Sequence, residues 1–136
     1  MKKHILITIF TMIYFQKTDA QVDSVIHLSY NLDSKSKGQK YLKDKITHFY
    51  IKNEHFTAKR RSEIFNEKPK NIDLINIDQF INISEKERER LVKEGEKKGV
   101  IKMLKNSEIF KTIYLYEKKD CRVYKYNVKW IDEIVN

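Results

Sequence analysis

The sequence predicts an α+β fold, in which a small antiparallel sheet of four or five strands ends in a C-terminal β-hairpin and packs against one or two helices. Three observations carry that expectation. Residues 107–116 and 121–130 are rich in β-branched and aromatic side chains and flank the charged break Glu117-Lys118-Lys119-Asp120, which is the pattern of a hairpin. Shorter runs around Ile26, Ile46 and Ile72 have strand character. Between these and the hairpin, Ser84-Glu85-Lys86-Glu87 matches the capping box, in which a serine oxygen takes an orphan backbone N–H and the glutamate returns the bond.

Residues 1–20 stand apart. Lys2 and Lys3 precede an apolar run over residues 5–15, and Thr18 and Ala20 place small residues at the −3 and −1 positions of a cut before Gln21. That is the three-part pattern of a secretory signal peptide. The run is shorter than the roughly 20 residues a membrane span needs. The expected mature chain, residues 21–136, is one small α+β domain delivered to the periplasm or the outside of the cell. No later segment has the length and hydropathy of a membrane span, and the leader with the Lys-, Ile- and Asn-rich composition suits a small bacterial exported protein. Removing Lys2, Lys3, Lys17 and Asp19 with the leader leaves 25 basic against 18 acidic residues, a net charge of about +7. Such a balance favours anionic neighbours. A single cysteine, Cys121, excludes an internal disulfide, so the core must hold the domain. Free cysteine is among the most buried residue types, and Cys121 is expected inside.

Taken in order, Ile26, Leu28, Tyr30 and Leu32 alternate with other residues and predict a strand over 25–32. Residues 31–38 contain Asp, Ser and the first glycine and read as a loop. Tyr41, Leu42, Ile46, Phe49 and Tyr50 fit a helical face, yet residues 46–51 fit a strand better. Residues 52–71 form a basic connection with Lys59-Arg60-Arg61 and the only proline, Pro69. A buried strand is expected over 72–77, followed by a short helical turn capped by Asp78 that carries Phe80 and Ile81. The main helix is expected to start at Glu85, supported by the pairs Glu89–Lys93 and Glu94–Lys98. Gly95 and Gly99 predict a break near residue 97, with a second short helix over 100–105.

The signatures of the common catalytic classes are missing. There is no HExxH, no CxxC pair, no G-x-S-x-G and no glycine-rich phosphate loop, which three glycines can scarcely build. A nucleotide cofactor is therefore not expected, and no other cofactor or metal is predicted. His48 and His55, with Glu54, could supply some of the ligands of a metal site, and a small exported hydrolase using His48 and His55 is the alternative reading.

A hairpin loop over 117–120 pairs Tyr116 with Cys121 and Ile113 with Tyr124. One face then carries Ile109, Ile113, Leu115, Tyr124, Tyr126, Val128 and Trp130, the better core set. The other face offers Phe110, Tyr114, Tyr116, Lys125 and Lys129 as candidate binding residues, because rings next to lysines stack on sugars or bases while pairing with anionic groups. The sequence thus points away from an enzyme. It points toward a small exported binding or interaction module that meets an anionic polymer or an envelope protein, with an accessory subunit of an envelope complex as a further alternative.

Overall fold

Three tight turns build most of the sheet. Asp44 and Lys45, Lys52 and Asn53, and Asp120 and Cys121 each form a two-residue connection with φ between 47° and 68° at both positions. Two left-handed residues in succession make the type I′ turn, whose twist matches that of paired antiparallel strands. None of the three uses glycine, the residue that adopts this conformation without steric cost.

The computed structural model describes residues 25–30, 38–59 and 63–132, so the expected leader over residues 1–20 lies outside the described residues. The strands are β1 (Val25–Tyr30), β2 (Gln39–Lys43), β3 (Ile46–Ile51), β4 (Glu54–Ala58), β5 (Glu63–Phe65), β6 (Thr112–Lys119) and β7 (Arg122–Ile131). They form one sheet in the order β1-β6-β7-β4-β3-β2. Strand β5 shares the edge of β7 with β4: Glu63–Phe65 pair with Lys125 to Val123, and His55 to Thr57 pair with Ile131 to Lys129.

The α+β class and the C-terminal hairpin stand, while the sheet differs in detail. It is mixed, because β1 runs parallel to β6 with Ile26 opposite Ile113. It has seven strands rather than four or five, because β2, β4 and β5 arise from stretches too rich in Lys, His and Glu to show a strand pattern. The expected strand over 72–77 reduces to Ile75, which exchanges backbone hydrogen bonds with His27 and Ser29 beside β1.

Helix α1 (Ile77–Lys97) begins ahead of Glu85. Its capping box is Asn76 with Gln79: the Asn76 side chain accepts from the Gln79 backbone N–H, and the Gln79 side chain accepts from that of Asn76, both at 2.9 Å. Ser84 is a buried mid-helix residue whose hydroxyl donates to the Ile81 carbonyl at 2.8 Å. Past the C-cap Lys98, Gly99 at φ 73° reverses the chain, with the Val100 N–H returned to the Gly95 carbonyl. No second helix forms over residues 100–105. That segment is a strap held by Arg88, which donates to the Leu104 carbonyl at 2.7 Å and to Asn106 Oδ1 at 2.6 Å, and it leads into a 3-10 turn, Asn106–Glu108.

The hairpin register also shifts. Its turn is Asp120-Cys121, so Tyr116 faces Lys125 and Ile113 faces Val128. The displacement is even, so each residue keeps its face. Ile113, Leu115, Tyr126, Val128 and Trp130 are buried as expected. Cys121 is not: a turn residue at positive φ at the hairpin tip stands in solvent, and the thiol is exposed.

Helix α1 covers the core face of the central strands through Ile77 and Phe80. The Phe80 ring meets Trp130 edge-on at 4.8 Å, Phe56 at 5.5 Å and Phe110 at 5.7 Å. Strand β2, at the sheet edge, stays exposed along its whole length, with Leu42 at 72%. The sheet is therefore wider than its helical cover, and that mismatch creates the site.

Candidate anion-binding cleft

On the core side of the sheet, between the exposed β2–β3 hairpin and the tip of β6–β7, lies an open cleft of about 720 Å³, within the size range of ligand sites. Lys40, Lys45, Lys59 and Lys119 line it together with Tyr41, Tyr124 and Tyr126, and among the described residues none that lines it is acidic. Alternation on β2 sets Lys40 opposite Phe49, on the face that points inward elsewhere in the sheet. Helix α1 contributes none of the described lining residues, so a lysine stands where a core residue is otherwise expected.

Behind Lys40 and Tyr126, outside the cleft lining, sits a buried carboxylate. Glu117 is almost fully buried, and its Oε1 accepts from Lys40 Nζ at 2.7 Å and from the Tyr126 hydroxyl at 3.2 Å. Burial lowers the affinity of the Lys40 ammonium for its proton. Glu117 and Tyr126 more than offset this, and the Lys40 pKa ends above its ordinary value. Burial, then the Glu117 charge, raises the Tyr126 phenol. Lys40 is thus neutralised from behind. Among the described ion pairs none involves Lys45, Lys59 or Lys119, which leaves three unpaired cations around aromatic rings.

The five residues singled out in the sequence do not form one surface. Phe110 precedes β6 and is buried against Phe80 and Trp130. Tyr116 is fully buried, and its hydroxyl lies 2.9 Å from His27 Nδ1. Tyr114 and Lys125 do meet, with the ammonium 4.1 Å from the ring centroid, a cation–π contact. Lys129 is exposed further along β7. Burial, followed by the Lys125 charge, lowers the His27 pKa.

His48 and His55 are brought together. Their Nδ1 and Nε2 atoms are 2.9 Å apart, with Tyr41 stacked on His48 and Tyr50 stacked on His55. Among the described residues, no group of three His, Cys, Asp or Glu side chains is placed to hold a metal ion.

The residues that build the cleft escaped sequence reasoning because they come from four separate segments joined by long-range pairing. Their one local signal is the pair Tyr41-Leu42 flanked by Lys40 and Lys43 within Gln39–Lys43. No family model, curated protein or solved structure matches this chain.

Proposed function

We propose that this chain is a small exported, non-catalytic binding module whose cleft takes an anionic polymer. The observation that carries the reading is the set of three lysines around tyrosines that have no ion-pair partner among the described residues, in a cleft where no described lining residue is acidic. Lysines supply attraction that is insensitive to sequence, and rings beside them stack on sugars or bases. The leader pattern of residues 1–20 supports delivery to the periplasm or beyond.

The test is fluorescence anisotropy with a sulfated oligosaccharide and a single-stranded oligonucleotide across a salt series. Binding that weakens steeply with salt, and drops at least tenfold in Lys45→Gln/Lys59→Gln/Lys119→Gln, supports the reading. Binding indifferent to both salt and the triple substitution overturns it. A hydrolase reading draws on one observation, the adjacency of His48 and His55. Hydrolysis of a substrate panel that disappears in His48→Ala and in His55→Ala would favour it instead.

A further inference from the structure

The strap that follows helix α1 displays apolar side chains to solvent. Ile101 is 96% exposed and Met103 93%, and Val100 and Val92 stand exposed beside them. Solvent-exposed apolar residues are ordinary when scattered, but a cluster at one end of a molecule marks a surface that meets something else. The segment does not hang loose. Leu104 packs against the core, Arg88 holds the Leu104 carbonyl, and Gly99 sets the reversal from which the strap returns along the last turns of the helix. Leu104 points inward while Ile101 and Met103 protrude.

The segment itself carries only positive charge, while Glu96 of the helix lines the hollow beside Val92, Val100 and Ile101. Lys97-Lys98-Gly99-Val100-Ile101-Lys102-Met103-Leu104-Lys105 holds four lysines, four apolar residues and no carboxylate. Lys102 is paired with Glu108 at 3.0 Å, while no described ion pair uses Lys97, Lys98 or Lys105.

We infer that residues 97–105 form a lipid-docking element, in which Ile101 and Met103 enter the headgroup region of an anionic membrane surface and the flanking lysines engage its phosphates. Protruding apolar tips flanked by lysines suit a soft anionic interface. Lysine stems run along the apolar layer while their ammonium groups stay at the anionic surface. Each lysine near such a surface adds attraction that salt screens, and the apolar tips add a part that salt does not remove. No helix among the described residues is long and apolar enough to cross a membrane, so this docking is peripheral. The surface lies on the helix and strap, apart from the basic cleft, and the inference does not depend on the proposed function.

The test is co-sedimentation with vesicles of phosphatidylglycerol and phosphatidylcholine, with pure phosphatidylcholine vesicles as reference. The full chain is used as recovered from expression, and parent and variants are compared at the same N-terminus, verified by intact mass. Expected results are binding to the anionic vesicles, a loss of at least fivefold in Ile101→Gln/Met103→Gln, and a comparable loss in Lys97→Gln/Lys98→Gln. All four positions are exposed, and unchanged circular dichroism confirms folding. Lys45→Gln/Lys119→Gln, in the cleft, is expected to lose less vesicle binding than Lys97→Gln/Lys98→Gln. Three results overturn the inference: no sedimentation of the parent with either vesicle, sedimentation unaffected by Ile101→Gln/Met103→Gln, or loss only on substitution in the cleft. Light scattering adds a fourth: self-association that vanishes in Ile101→Gln/Met103→Gln without vesicle binding assigns the patch to a second copy of the chain.

Discussion

The ammonium of Lys40 and the carboxylate of Glu117 meet at 2.7 Å across 77 residues of sequence, tying the edge hairpin to the C-terminal hairpin behind the cleft. The pair is asymmetric, since Glu117 is buried and the Lys40 side chain is partly open to solvent. Glu117→Gln leaves Lys40 without its counter-ion. The expected outcome is a loss of about 1–2 kcal/mol in stability, below the value for a fully buried pair because Lys40 retains water. The freed ammonium is also expected to tighten polyanion binding. Urea denaturation and anisotropy on the same protein check both effects, which carry opposite signs.

The non-glycine I′ turns predict gains. Lys45 at φ 65° and Cys121 at φ 62° occupy a conformation that an L-residue adopts at a cost and glycine does not. Lys45→Gly and Cys121→Gly are each expected to raise stability by about 0.5–1 kcal/mol, after subtracting the greater freedom of glycine in the unfolded chain. Paired thermal melts with the parent protein provide the comparison. An unchanged or lower midpoint in both variants contradicts the strain argument.

Gly38 predicts the reverse. A Cβ there stands 2.3 Å from the Tyr50 carbonyl oxygen and 2.8 Å from a ring carbon of Tyr30, so the backbone itself must move. Gly38→Ala is expected to cost about 2 kcal/mol and to loosen β2, and with it the Lys40 wall of the cleft. Amide exchange across Gln39–Lys43 should quicken more than exchange across β6 and β7.

Alkaline pH tests the interior of the hairpin. Burial, with Tyr114 and Glu63 adding, pushes the Tyr116 phenol up to about 12, against 10.0 for the free group. Between these values the unfolded chain gives up a proton that the folded chain keeps. Stability is therefore full below pH 10 and falls as pH rises toward 12. Lys40 and Tyr126, both raised, add slopes of the same sign, so the parent is compared with Tyr116→Phe. The substitution is expected to flatten the fall by up to about 2 kcal/mol, read from urea midpoints at pH 9 and pH 11.5.

The hairpin was legible in the sequence because β-branched and aromatic residues crowd both of its strands. Its faces survived a wrong register because the error was even. The start of helix α1 was equally readable, since Asn76-x-x-Gln79 is a capping box, but Ser84-x-x-Glu87 matches the same rule and lies nearer the charge-rich repeat. Strands β2 and β4 were hidden by their polarity and by turns without glycine. Phe110 illustrates a different difficulty: alternation extended back to Ile109, ahead of the true start of β6 at Thr112, sets a core ring on the open face. The cleft required knowledge of which distant segments lie side by side, information that no local pattern contains.

The parallel pairing of β1 with β6 also constrains the order of assembly. Val25 lies opposite Thr112, so among the described residues β1 has no partner, apart from its single bridge to Ile75, until the last third of the chain exists. The β2–β3–β4 meander and the β6–β7 hairpin close over short loops, whereas β1 waits for a closure spanning most of the chain, the slowest kind to form. A chain threaded outward behind its leader, as proposed, keeps its sheet unsealed during the passage and locks it from the N-terminal side once the final hairpin has emerged.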